Sequence, residues 1–295
     1  MNNPPVLVLL STWNGEKFLK EQIDSIFSQD FDGTISILAR DDGSSDATVE
    51  ILRSYGPERI RVVVGENLGP ARSFLTLLEW AREIEADYYA LSDQDDVWKP
   101  QKIARAIECL QRSGSGLYCS ALNLVDEELR PLSRYRHAGD QSLASTLIGN
   151  YATGCTCVMD REFLEHLRFP VRSSQILMHD WWLSLTASAN GSARYDNESH
   201  LLYRQHGANH VGLRSSVAGV LQRGLKALRR SRDPSCLSQA QEFRAVHGAD
   251  LPADASRTLT EFLAASRNMR GRLGFALRHR KSVGALSAIR YILRP

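Results

Sequence analysis

In Tyr88-Tyr89-Ala90-Leu91-Ser92-Asp93-Gln94-Asp95-Asp96-Val97-Trp98 a short apolar run of β-forming residues ends in three carboxylates within four positions. An amphipathic stretch from Lys99 to Arg112 follows. The succession reads as strand, acidic loop and helix. Upstream the same unit recurs: Val6 to Leu10 before Leu19 to Gln29, Ile35 to Ala39 before Ala47 to Tyr55, and Ile60 to Val64 before Ser73 to Ile84. Such alternation predicts an α/β fold with a mainly parallel, doubly wound central sheet, because each crossover must cover a sheet face.

In sheets of this kind ligands collect beyond the carboxyl ends of the strands, where the polar clusters of this chain fall. Thr12-Trp13-Asn14-Gly15 follows the first apolar run, Asp41-Asp42-Gly43-Ser44-Ser45-Asp46 the second, Glu66-Asn67-Leu68-Gly69 the third and Asp93-Gln94-Asp95-Asp96 the fourth. The pattern predicts four loops converging on one crevice. Like charges as close as Asp93, Asp95 and Asp96 repel unless a cation or a proton intervenes. Hard oxygen ligands without a nearby Cys or His pair favour Mg²⁺ or Mn²⁺ over zinc. A solvated acidic turn at the start of the next helix is the alternative reading. On the Asp41 to Asp46 loop, Gly43 permits a tight bend, and the carboxylates can accept hydrogen bonds from a nucleotide base or a ribose hydroxyl.

Beyond residue 116 the rhythm shifts to shorter strands, including Cys155 to Met159, and a helix over His179 to Ala189. Past His210 the chain is rich in Arg, Ala and Leu, with helical candidates Val217 to Arg230, Leu237 to Val246, Ser256 to Arg267 and Leu273 to Ile292. The organisation expected is one domain over 1–212, in two halves (1–115 and 116–212), followed by a basic helical region over 213–295.

Charge divides along the same line. Residues 1–206 hold 20 Lys/Arg against 29 Asp/Glu, whereas 207–295 hold 16 against 5. An acidic body suits divalent cations, and a basic tail suits an anionic membrane surface or a phosphorylated acceptor. No nucleic-acid partner is expected. The five cysteines form no Cys-x-x-Cys pair, which fits a reduced, cytoplasmic setting. No leader precedes Val6 and no apolar run approaches the roughly 20 residues of a membrane span. The expectation is a cytoplasmic protein that works at the inner face of the membrane.

The ordered series Ser11 to Gly15, Arg40 to Asp46, Asn67 to Gly69 and Leu91 to Trp98 resembles the inverting family 2 glycosyltransferases of GT-A fold, over roughly residues 5 to 210. The Ser92 to Trp98 form, with Met178-His179-Asp180-Trp181-Trp182 and Tyr203-Arg204-Gln205-His206-Gly207, resembles rhamnosyltransferases of bacterial surface polysaccharide (O-antigen) assembly. That resemblance implies dTDP-L-rhamnose as donor, a glycan or lipid-linked glycan as acceptor and a divalent cation as cofactor. It implies that Thr12, Trp13, Asn14, Asp41, Asp42, Asn67 and Asp93 hold the nucleotide sugar, with Trp13 near the base and Asp93 near the ribose. Asp95 would coordinate the metal, joined by His206, with Arg204 near the diphosphate. Asp180 is the expected base for the acceptor hydroxyl, and His179, Trp181 and Trp182 are acceptor or sugar contacts. Of the two tryptophans, about 100° apart on a helix, one can stack on sugar while the other joins the core.

A metal-bound diphosphate is a good leaving group, so only the acceptor hydroxyl needs a general base. Two other readings use parts of the same pattern. A nucleotidyltransferase or nucleotide-sugar pyrophosphorylase also needs acidic metal ligands, but Thr12 to Lys17 lacks the Gly-rich basic loop that holds a triphosphate. A non-catalytic carbohydrate-binding protein would have no need of these acidic positions.

Overall fold

The computed structural model describes residues 4–207 and 235–293. Its first half follows the βα rhythm: β1 (Pro5–Thr12), α1 (Leu19–Phe27), β2 (Thr34–Asp41), α2 (Thr48–Ser54), β3 (Ile60–Val64), α3 (Pro70–Ala81) and β4 (Tyr88–Ser92). Then come β5 (Val97–Trp98), α4 (Lys102–Ser113), β6 (Leu117–Ser120), β7 (Leu122–Val125), β8 (Pro131–Tyr135), α5 (Leu143–Ile148), β9 (Val158–Asp160) and α6 (Arg161–His166). The second half closes with α7 (His179–Ala189), β10 (Ala193–Asp196) and β11 (Leu201–Arg204). Four C-terminal helices follow the undescribed stretch: α8 (Cys236–His247), α9 (Ala253–Ala265), α10 (Met269–Arg278) and α11 (Ala285–Leu293).

Seven strands form the central sheet in the order β10-β6-β9-β4-β1-β2-β3. All its pairings are parallel except those of β9, which runs antiparallel between β4 and β6. β1 shows why the sheet is buried on both faces: Leu7 and Leu9 join one core, while Val6, Val8 and Leu10 join the other. α1 and α4 cover the second face, whereas α3, α5, α7 and residues of α8, α9 and α10 cover the first. The registers Thr12 with Asp41 and Leu10 with Ser92 bring three polar loops to one edge.

Several boundaries differ from expectation for local reasons. Val97–Trp98 does not begin a helix: it is an edge strand paired antiparallel with Leu201 and Leu202, and Pro100 delays the helix to Lys102. That pair belongs to a second sheet, β5-β11-β7-β8, which the sequence did not reveal. The expected strand from Cys155 starts at Val158 instead, because Gly154 to Thr156 make a single tight turn. Leu273 to Ile292 is two helices, broken where Gly284 packs close to Ala138 and Ser282 accepts a hydrogen bond from Asp140 N–H at 3.0 Å. The expected C-terminal helical region packs onto the domain: Phe243, Phe262 and Phe275 lie in the same buried cluster as Leu9 and Trp182. The helical candidate Val217 to Arg230 lies outside the described residues.

Candidate active site

A cleft of about 1130 Å³ opens along the carboxyl edge of β1, β2 and β4. Its donor-side wall is built from loops that hydrogen-bond one another. Thr12 Oγ1 donates to Asp41 Oδ2 at 2.9 Å, and Asp41 also accepts the Ser44 N–H and hydroxyl. Asn14, held at a φ of 47° that Asn tolerates, donates its N–H to Ser44 Oγ and accepts from Ser45 N–H. Gly43 sits at φ 83°, where a side chain would be strained, so the Asp42 to Asp46 loop can turn back on Asn14. Asp42 accepts from Leu68 N–H and Gly69 N–H at 3.0 and 2.8 Å and pairs with the buried Arg40 guanidinium.

Trp13 is 52% exposed at the cleft, an unusual place for a large aromatic unless its face is used. Its backbone is clamped by Gln94, which accepts from Trp13 N–H at 2.8 Å and donates to Trp13 C=O at 3.0 Å. Gln94 thereby ties the first loop to the acidic one; it stands inside the acidic motif, yet nothing in its residue type announced the role.

On the acidic loop, Asp93 and Asp95 face the cleft, while Asp96 is fully buried and accepts Arg204 N–H at 3.1 Å. Burial, followed by the neighbouring carboxylates Asp95 and Asp180, pushes the Asp93 carboxyl up to about 7. Burial and the same crowding push Asp96 up as well. Two groupings here have cation-binding chemistry. Asp95 Oδ2 lies 2.8 Å from His206 Nε2 on the cleft wall. Asp93, Asp96 and Cys155 offer donor atoms within 4.8 Å of one another. Burial holds the Cys155 thiol well above its ordinary value, and a soft, protonated sulfur is a poor ligand for Mg²⁺ or Mn²⁺. The carboxylate and imidazole that open on the cleft fit a hard cation carrying phosphate better.

Across the cleft stands Asp180, in the first turn of α7. Asn150 Nδ2 donates to its Oδ1 at 3.0 Å and Gly154 N–H to its Oδ2 at 2.9 Å. Burial outweighs these hydrogen bonds and raises its carboxyl to about 6. The turn that shortened β9 presents the Gly154 N–H to Asp180, and a Cβ at Gly154 would meet His179 Nε2 at 2.7 Å. His179 is buried and stacked on Phe74 with ring centroids 4.1 Å apart; burial lowers it to about 3, so it stays neutral. Trp181 lines the cleft, its indole N–H bonded to Thr146 C=O at 2.6 Å.

Thr12, Trp13, Asn14, Asp42 and Asn67 thus share the cleft with Asp93, Asp95, His206, His179, Asp180 and Trp181. Three expected contacts do not reach it. Trp182 is fully enclosed against Phe243, with its indole N–H on Arg168 C=O, so it has no face for a sugar and is the core member of the pair. Arg204 is buried beneath Phe18 and spends its guanidinium on Asp95 C=O, Glu127 C=O and Glu21, so it braces the acidic loop from behind. Asp41 sits behind the wall, its oxygens engaged by Thr12 and Ser44. Residues that sequence reasoning missed include Gln94, Asn150 and the C-terminal Ser287, Arg290 and Tyr291, which close the far end of the cleft.

An acidic loop at parallel strand ends thus shares one cleft with a buried acid. The model of glycosyl transferase family 2 matches residues 7–168, and the chain belongs to that family. It is 32% identical over 234 residues to the dTDP-rhamnosyl transferase RfbG of Shigella flexneri, covering 72% of this chain and 77% of that protein. It is 30% identical over 187 residues to the putative teichuronic acid biosynthesis glycosyltransferase TuaG of Bacillus subtilis, covering 62% and 72%. Among solved structures it is similar to TarS 1-349 of S. aureus, with a TM-score of 0.57 at 14% identity over 98% of this chain and 81% of that one. It is also similar to the mannosyltransferase PcManGT from Pyrobaculum calidifontis in complex with GDP-Man and Mn²⁺, with a TM-score of 0.52 at 17% identity over 99% and 88%. These structural likenesses show the GT-A fold.

Proposed function

We propose that this glycosyltransferase moves L-rhamnose from dTDP-L-rhamnose to a hydroxyl of a bacterial surface glycan, with inversion, in a single displacement. The observation that carries the reading is one cleft lined by Asp93 and Asp95 of the acidic loop together with the buried Asp180 of α7. The acidic loop suits a nucleotide diphosphate and its cation; Asp180 offers a carboxylate whose raised pKa lets it take a proton near neutral pH. Similarity to the dTDP-rhamnosyl transferase supports the donor.

In this account Trp13 stacks on the base, Thr12, Asn14, Asp42 and Asn67 line the nucleotide, and Asp93 takes the ribose. Asp41 acts from behind by fixing Thr12 and Ser44. Asp95 and His206 would hold Mg²⁺ or Mn²⁺, and a cation there would supply charge stabilisation to a departing diphosphate. Asp180 accepts the proton of the attacking hydroxyl, Trp181 packs on a sugar ring and the neutral His179 meets the acceptor. The acceptor is a lipid-linked glycan, and the work is done in the cytoplasm at the inner face of the membrane.

A thermal-shift panel of nucleotide sugars with Mn²⁺, Mg²⁺ or EDTA tests the donor side, since ligands of the native state raise its stability. A metal-dependent shift with dTDP-L-rhamnose exceeding those with UDP-GlcNAc and GDP-mannose is expected, and Asp95→Ala is expected to abolish it. A larger shift with another nucleotide would discard the rhamnose donor.

A further inference from the structure

We propose that α10 and α11 form a docking surface for an anionic lipid bilayer, set beside the end of the cleft that Ser287, Arg290 and Tyr291 line. On α10, Met269, Leu273 and Leu277 recur at a spacing of four; on α11, Leu286, Ile289 and Leu293 recur at three and four. Each set lies along one helical face. All six are between 44% and 72% exposed, while Phe275, Ala276 and Tyr291 of the same helices are buried. The two helices pack together, with the Phe275 and Tyr291 rings 6.1 Å apart. Single exposed leucines are ordinary, but two apolar stripes on adjoining helices are a surface that water does not explain.

Charge identifies the occupant. From Arg267 to Leu293 there are seven Lys/Arg and no Asp or Glu. Arg278 approaches Glu261 at 3.9 Å, and among the described residues the other six have no acidic partner. An apolar stripe edged by unpaired cations is the composition that binds acyl chains and anionic headgroups together. A protein partner with its own acids would fit the cations, but it would not call for six large apolar side chains left open to solvent.

The position gives the surface a purpose. Ser287, Arg290 and Tyr291 of α11 line the far end of the cleft, on the helix that carries Leu286, Ile289 and Leu293 outward. An acceptor anchored in a bilayer under α11 has its glycan beside that opening. This deepens the reading of a lipid-linked acceptor and rests on it, although docking is measured without any sugar chemistry.

The test is flotation of the intact chain with phosphatidylcholine vesicles and with vesicles containing phosphatidylglycerol. It is repeated for Leu273→Glu/Leu277→Glu and Leu286→Glu/Leu293→Glu, which change exposed positions. Expected are binding to the anionic vesicles only, weakening with salt, a loss on the order of tenfold or more in each variant, and nucleotide-induced thermal shifts equal to the parent's. Failure of the parent to float, or variants that float like the parent, would overturn the proposal. So would a parent dimer that the Glu substitutions convert to monomer, which would assign the stripes to a second copy of the chain. A glycosyl-transfer result cannot mimic any of these outcomes.

Discussion

Asp42 and Asp180 are both buried carboxylates on the cleft, and their surroundings assign them opposite work. Asp42, on the donor wall, is neutralised by Arg40 and fixed by two backbone N–H groups. Asp180 has an amide and one N–H from its surroundings and, among the described residues, no cationic partner, and burial raises it to about 6. A carboxylate locked to a guanidinium positions loops; one left buried without a cation is free to exchange a proton near neutral pH. The Asp42 side of the cleft is pre-assembled by loop-to-loop hydrogen bonds, whereas Asp180 keeps the environment that the proposed base requires.

Changing each carboxylate separates these roles. Asp180→Asn is expected to lower transfer by roughly 10²- to 10⁴-fold, the range for a lost general base, while the donor-induced thermal shift stays as in the parent. Asp42→Asn leaves Arg40 buried without its counter-charge and is expected to cost about 3–5 kcal/mol of stability, read by denaturant unfolding, and to weaken the donor-induced thermal shift of the folded fraction. Were Asp42→Asn fully stable, the contrast between the walls would fail.

The smallest effect concerns the packing behind the acceptor wall. His247 stacks on Phe243 at 4.5 Å and is lowered by burial, then by Arg168, to about 4. Between that value and the ordinary 6.5 the unfolded chain binds the extra proton, so stability falls as pH drops through this window. His247→Phe keeps the stack and is expected to leave the unfolding temperature near the parent's at pH 8 and above it at pH 5.

The donor half was legible because each apolar run is followed by an amphipathic helix, which places every polar loop at a strand end. The second sheet escaped because Val97–Trp98 and Leu201–Arg204 are too short to show a period. Residue type alone did not separate Trp181 from Trp182; that choice depends on Phe243, contributed by a helix some sixty residues away. The resemblance implied Arg204 near the diphosphate, but its guanidinium turns toward Glu21 and the rear of the acidic loop. Asn150 and Gly154 hold Asp180 through space, a relation that carries no local signal.

The most direct test of Asp180 as base is the pH dependence of sugar transfer from saturating dTDP-L-rhamnose to a lipid extract of the producing cells. The rate should rise with pH through about 6 and then level, as the carboxylate becomes able to accept the proton. In Asp180→Asn that rising limb should vanish along with most of the rate. A limb that persists in Asp180→Asn, or parental transfer by that variant, would contradict the account.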